Sequence, residues 1–374
     1  MMMATDMGAF CLIRGTVPTG PVPVRESAGN ARYGGCPTHP TRQTRPTHPT
    51  RRARSRSAVP TARAAGPIRD EAPMRIGANY DETQPFDSVV RQVAALAERG
   101  IGTAWSTQIF GADALTVLAA VSREVPGIGF GTAVVPTYPR HPVMLAAQAL
   151  TVQEISGGRL TLGIGLSHQM VIENMFGLSF DKPARHMREY LEVLVPLLAG
   201  EQVTFAGETL RVSTFGPLEV TAPVPDVLVA ALGTVMLRIA GRMASGTVTW
   251  MTGPVTIEEH VVPTIVSAAA EAGRARPRVA VGLPVCVTDD VATARATAAE
   301  KFGMYGYLPS YRAMLDREGV EGPADVAIVG TAAEVTATVR RMDEVGATDF
   351  CGAPFGTRDE ITATLDTLGA LAGV

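Results

Sequence analysis

Gly158-Arg159-Leu160-Thr161-Leu162-Gly163-Ile164-Gly165-Leu166-Ser167-His168 is the stretch on which the reading of this chain turns. Residues 160–164 are short, apolar and preceded by a glycine turn, which predicts a buried β-strand. The strand runs straight into Gly165-Leu166-Ser167-His168. Glycine there lets the backbone approach a ligand and present bare N–H groups to it. Serine adds a hydroxyl and histidine a titratable ring. In parallel α/β folds, the C-terminal ends of strands are where sites are built. The plain alternative is a tight turn with a satisfied histidine, and a short glycine motif alone does not decide between them.

Outward from this stretch, strand-like and helix-like segments alternate. Strands are expected at 75–80, 103–106, 128–135, 160–164, 227–230, 247–250, 278–287 and 349–353. Helical spacing covers 86–99, 112–124, 142–155, 184–198, 234–244, 256–272, 290–302, 331–344 and 358–371. The segment 128–135 is nearly all apolar or glycine, which suits a strand buried on both faces. Pro263 is expected to break or kink the helix that contains it. Segments 202–205 and 210–212 flank Ala206-Gly207 and predict a small hairpin. The period weakens over 168–180, so a loop or insertion is expected after the fourth strand. Residues 303–330 read as mixed, with Tyr305, Tyr307 and Tyr311 among several breakers. Eight strands, each followed by helical sequence, predict a closed α/β barrel of the (β/α)8, or TIM-barrel, type. An open doubly wound sheet is the runner-up. It would want a dinucleotide fingerprint, but His168 stands where the third glycine belongs, and no Walker A motif occurs.

The chain has 374 residues, 46% of them apolar, and a mean hydropathy of +0.15, which describes a globular protein with a large core. No apolar run reaches the ~18–20 residues of a membrane span. The formal net charge of −3 hides an asymmetry: residues 1–73 carry 11 Arg against 4 acids, and everything after them is net acidic. Those 73 residues also hold ten of the 27 prolines and a crude Thr-His-Pro-Thr-Arg repeat at 38–42 and 47–51. With little apolar matter and no period they are expected to be disordered. The favoured explanation is a translation start set too far upstream, with Met74 opening the folded domain at 74–374. A nucleic-acid tail and a transit peptide fit the charge alone. Cys11, Cys36, Cys286 and Cys351 are scattered with no CxxC and no metal spacing. Neither a disulfide framework nor a zinc site is indicated, and a reducing cytoplasm is the simplest compartment.

The predicted strand ends are rich in Gly, Ala, Ser, Thr, Met and aromatics, with no cluster of carboxylates. This argues against metal hydrolysis and against a paired-carboxylate glycosidase. Lys182 and Lys301, the only lysines, fall at no strand end, which argues against Schiff-base chemistry. Gly165-Leu166-Ser167 and Ala231-Leu232-Gly233-Thr234 each offer a phosphate cradle. The second leads into a helix, so that backbone N–H groups and a helix N-terminus can face an anion. Together they point to a phosphorylated cofactor across the barrel mouth. Gly165-Leu166-Ser167-His168-Gln169 also approaches the nucleophile elbow G-x-S-x-G, but Gln169 replaces the last glycine. A hydrolase triad there would have to recruit His186 or His260.

Several stretches jointly resemble the bacterial luciferase-like flavin and deazaflavin oxidoreductases. They are Gly131-Thr132-Ala133-Val134-Val135-Pro136, Arg140-His141-Pro142, Gln148-Ala149-Leu150-Thr151, Ser156-Gly157-Gly158-Arg159, Leu162-Gly163-Ile164-Gly165, Ala230-Ala231-Leu232-Gly233 and Gly246-Thr247-Val248-Thr249-Trp250-Met251. The chain is most similar to the actinobacterial subgroup that uses coenzyme F420 rather than FMN. The resemblance covers residue 74 onward. It implies a (β/α)8 barrel with an insertion after strand 4 and usually a homodimer. It also implies a non-prolyl cis peptide in a bulge at Ala133-Val134, beneath the cofactor ring. Ala231, Leu232, Gly233 and Thr234 would hold the cofactor phosphate, with Gly165, Leu166, Ser167 and His168 beside the ring or tail. His168 stands where some relatives carry an acid that handles a proton, so it is the candidate catalytic residue. An imidazole with a pKa near ~6.5 suits that work at neutral pH. The alternative is that His168 only binds the cofactor. His141 is expected to be structural. Ser106-Thr107-Gln108 departs from the Asp-His of many relatives. The implied activity is hydride transfer between F420 and a small organic substrate, with no nucleic-acid or membrane partner. An FMN-dependent monooxygenase and a non-catalytic F420-binding protein are the alternatives.

Overall fold

A computed structural model of the chain describes residues 73–373, apart from Ile109. The expectations of disorder before residue 74 and of a start at Met74 rest on residues 1–72, which lie outside the described part. The strands are β1 (Arg75–Asn79), β2 (Thr103–Ser106), β3 (Gly129–Thr132), β4 (Val135–Pro136), β5 (Leu160–Gly165), β6 (Thr204–Ala206), β7 (Arg211–Ser213), β8 (Asp226–Ala230), β9 (Gly246–Trp250), β10 (Arg278–Val287), β11 (Ile328–Gly330) and β12 (Asp349–Pro354). Parallel pairing runs β1-β2-β3-β5-β8-β9-β10-β12, and β12 returns to β1. The ring therefore closes as a (β/α)8 barrel, and the open-sheet alternative is excluded. Between β5 and β8 the chain inserts a π-type turn Val171–Met175, the helix Pro183–Leu198 and the antiparallel β6–β7 hairpin.

Alternation along the strands, carried round the ring by the pairing register, sorts the barrel interior into layers. The lowest layer is charged. Arg278 bridges Asp349 and Asp226 at 2.7 Å each and donates to Thr161 at 3.1 Å, while Arg75 reaches Asp349 at 2.8 Å. Asp349 is only 1% exposed, and its carboxyl is held below the usual carboxylate range by hydrogen bonding and charge from Arg278, against the cost of burial. Above this plug sit Trp105, Leu228, Val248, Ala280 and Cys351. Trp105 has room because its neighbours are Gly77 and Gly131: a Cβ on either would lie 2.4 or 2.3 Å from the indole.

The layer at the C-terminal mouth comes from Asn79, Ala133, Gly165, Ala230, Trp250, Gly282 and Ala353 by the same register. Apart from Asn79 and Trp250, the barrel thus ends in a shallow floor of small side chains.

Three local expectations change. Residues 128–135 do not form one strand. Between the pairs Gly131↔Thr161 and Val135↔Ile164, three residues on one side face two on the other, so β3 and β4 flank a β-bulge. Pro263 does not break its helix, because it falls in the first turn of Val262–Glu271, just after a π-type turn at Ile257–Val261 has shifted the register. The mixed stretch 303–330 contains two helices and β11, which pairs with the overhanging end of β10 outside the barrel. Among the described residues, no helix is long and apolar enough to cross a membrane.

Candidate functional site

The bulge forms one wall of the mouth. The Ala133–Val134 peptide is cis, as the resemblance implies. The Thr132 hydroxyl bridges the interrupted ladder: it donates to the Gly163 carbonyl at 2.7 Å and accepts from Gly163 N–H at 2.8 Å. Glycine is obligatory opposite. A Cβ on Gly163 would lie 1.8 Å from the Thr132 carbonyl oxygen, and one on Gly165 would lie 2.6 Å from Val134 Cγ2 and 3.2 Å from Ala230 Cβ. Ala133, Val134, Gly165 and Ala230 are therefore one packed unit. Leu166, Ser167 and His168 follow directly, with Ser167 in the left-handed region at φ 61°.

The second wall is the turn Ala231-Leu232-Gly233. The buried His260 donates from Nε2 to the Leu232 carbonyl at 2.8 Å, and Thr247 Oγ1 donates to the Val229 carbonyl at 2.8 Å. The helix Thr234–Met243 then starts with Gly233 as its N-cap, with no side-chain hydrogen bond and no acid in its first turn. Several other helices that follow barrel strands satisfy their first N–H groups internally, although those after β1 and β5, like this one, carry no side-chain cap. Asp113 caps the helix after β2, Asp290 the one after β10, and a Thr357–Glu360 capping box the one after β12. Glu318 reaches across to Val255 and Thr256 N–H after β9. The first N–H groups of the helix at Thr234 have no side-chain acceptor.

An aromatic arch spans the mouth. His168 and Tyr311 ring centroids lie 6.0 Å apart, Tyr311 and Tyr305 5.1 Å, Tyr305 and Trp250 6.0 Å, Trp250 and Phe302 6.2 Å, and Phe302 and Phe355 5.5 Å. Burial lowers the His168 pKa below that of a free imidazole and so favours its neutral form. Trp250 Nε1 and Tyr80 Oη are buried and approach Tyr305 and Ser106 without reaching hydrogen-bond geometry. Sequence reasoning missed Glu82, three residues past β1. Burial pushes its carboxyl up to about 7, against a backbone hydrogen bond that lowers it and with a smaller push from the Asp81 charge, and its own charge is felt at Tyr80 and Tyr305. The only advance signal was its position just beyond a strand end.

Several polar residues prove structural. His141 accepts from Val143 N–H and caps its helix. His186 bonds Thr137 at 3.0 Å and stacks on Tyr138 at 4.0 Å, and burial lowers its pKa to about 4. With His260 on Leu232, neither histidine is available to complete a triad with Ser167. Gln108 accepts from Ala114 N–H and Arg140, so it holds the start of a helix. A cleft of about 440 Å³ adjoins the bulge, lined by Gln108, Phe110, Gly111, Pro136, Pro139, Arg140, Met175 and Phe176. Among the described residues, no three His, Cys, Asp or Glu side chains gather to hold a metal ion.

Comparison with known proteins adds an independent line. The model of the luciferase-like monooxygenase family matches residues 71–371. A 5,10-methylenetetrahydromethanopterin reductase of Methanolobus tindarius is 27% identical over 305 residues, covering 78% of this chain and 91% of the relative. A putative coenzyme F420-dependent oxidoreductase of Mycobacterium tuberculosis is 28% identical over 277 residues, covering 68% and 77%. Among solved structures, the coenzyme F420-dependent tetrahydromethanopterin reductase of Methanopyrus kandleri superposes with a TM-score of 0.70 at 22% identity, over 80% of this chain and 98% of that one, a likeness of fold.

Proposed function

This chain belongs to the luciferase-like monooxygenase family and is an oxidoreductase enzyme; from that premise we propose that it depends on coenzyme F420 and moves a hydride between that cofactor and a small organic substrate. The observation that carries the reading is the floor of the mouth. Ala133, Gly165, Ala230 and Ala353 leave a seat of small side chains where most barrels carry larger ones, with the Trp250 indole standing over Gly282 at its side, and the uncapped helix at Thr234 follows directly from the Ala230 strand. A planar ring fits the seat and a phosphate fits the helix end.

In this reading Ala133, Val134 and Gly165 support the ring. Leu166, Ser167 and His168 flank it, and Ala231, Leu232, Gly233 and Thr234 take the phosphate. The bound deazaflavin supplies a carbon that accepts or donates a hydride. The protein's own part is to bind, orient and exclude water. The aromatic arch from Tyr311 to Phe355 covers the seat with apolar surface. His168 is the proposed proton handler: its neutral imidazole would take the proton from a substrate hydroxyl as the substrate carbon bearing that hydroxyl gives up its hydride, and would return the proton in the reverse direction. The homodimer and the folded domain at 74–374 are carried forward as part of the same proposal.

The test is substrate-dependent bleaching of oxidised F420 across a panel of small alcohols and related compounds. Turnover of any panel member supports the reading. Oxygen consumption with reduced FMN, without F420 bleaching, would replace it with a flavin monooxygenase.

A further inference from the structure

We propose that Asn79 is the side chain in the mouth floor that hydrogen-bonds the edge of the cofactor ring, and that the Cys351 thiol is a positioning residue that fixes its amide; this rests on the F420 reading. Asn79 ends β1, two residues beyond Gly77 on the same face, and because the Trp105 indole packs over Gly77, Asn79 stands in the layer above it. The rest of the layer is glycine and alanine apart from Trp250, so Asn79 is one of very few polar side chains there. Two partners hold it. Cys351 Sγ donates to Asn79 Oδ1 at 2.8 Å, and Asn79 Nδ2 donates to Thr107 Oγ1 at 3.3 Å.

These contacts decide which end of the amide is which. A thiol that donates requires the oxygen on its side, so the NH₂ group lies toward Thr107. An amide carries two N–H groups, and only one is used. The second belongs to a half-buried side chain in an apolar floor, where an unmet donor is costly and a ligand acceptor is welcome. Cys351 itself is buried in the layer below, and burial raises its pKa far above that of a free thiol. It therefore stays protonated and keeps its donor role throughout the neutral range.

The experiment measures F420 dissociation constants by tryptophan quenching, together with the absorption spectrum of the bound cofactor. The variants are Asn79→Ala, Cys351→Ala and Cys351→Ser. Losing one neutral hydrogen bond predicts binding about 3- to 10-fold weaker for Asn79→Ala, with a shifted spectrum. Cys351→Ala should weaken binding in the same direction, and Cys351→Ser, which keeps a donor, should restore it to within about twofold. A purely structural cysteine would not be rescued in this way. A double-mutant cycle on thermal stability of the free protein reads the Asn79–Cys351 contact without any cofactor, and coupling is expected. Wild-type affinity and spectrum in Asn79→Ala would overturn the ring contact, and additive stability effects would overturn the positioning role. A wild-type protein that binds neither F420 nor FMN would overturn the functional reading and the ring contact together, while the cycle would still judge the thiol.

Discussion

Substituting Gly233→Asp separates folding from cofactor binding. Gly233 has φ −76° and ψ 152°, which any L-residue adopts, and a Cβ there meets nothing within 4 Å. The new side chain is therefore unstrained. It sits at the N-cap, where a carboxylate accepts from the N–H groups of the first turn and favours the positive end of the helix dipole, a gain of about 0.3–1 kcal/mol. Thermal stability should hold or rise slightly. The same carboxylate occupies the N–H groups assigned to the cofactor phosphate and opposes it with like charge. Two unit charges about 4 Å apart repel by about 4 kcal/mol at an effective dielectric of about 20. Half of that weakens binding roughly 30-fold. Gly233→Asn caps the helix without charge and should fall in between. Isothermal titration or fluorescence quenching against F420, beside a melting curve, gives both numbers. If Gly233→Asp binds F420 as tightly as the wild type, the phosphate does not sit at this helix and the assignment of Ala231–Thr234 is wrong.

His168→Ala should cut turnover about 10²–10⁴-fold with cofactor affinity changed only a few-fold. In the wild type, the rate should fall as pH drops below about 6.5 toward the lowered pKa of His168, because the accepting form is neutral, and that acid limb should vanish in the variant. Glu82→Gln should remove an ionisation near pH 7 from the rate profile. Arg278→Met removes the buried partner of Asp349, leaving it only the half-exposed Arg75, and should cost about 3 kcal/mol, read from the urea midpoint. The depressed pKa of Asp349 stabilises the fold at every pH above the unfolded carboxyl value near ~3.9, and that stability is lost as pH falls through the native pKa. Melting temperature should therefore be flat through neutrality and drop steeply below about pH 4.

The barrel was legible because its signal is local. Apolar runs such as Leu160–Gly165 and Arg278–Val287 alternate with helical spacing, and alternation in one order predicts parallel strands. The bulge came from the family resemblance and not from the residue pattern, because Gly129–Pro136 looks continuous by itself and the extra residue appears only when it is counted against β5. The charged plug was missed for a related reason. Arg75, Asp226, Arg278 and Asp349 each start a strand and read singly as solvated ends, and only barrel closure brings them together. At the site, the glycine turns were visible. Asn79 with its Cys351 partner lies 272 positions apart in sequence, and Tyr305 and Tyr311 come from a segment with no period. Long-range contacts of this kind leave no local trace.

The central claim is that the seat formed by the bulge, Gly165 and the Ala231–Thr234 turn takes a deazaflavin. The chain has two tryptophans: Trp105 packs in the barrel interior beneath that seat, and Trp250 stands at the mouth in the aromatic arch. Titrating their fluorescence with F420 and, separately, with FMN is the most direct measurement. Saturable quenching by F420 at lower concentration than by FMN is the predicted result. Tighter quenching by FMN, or none by either, would contradict it.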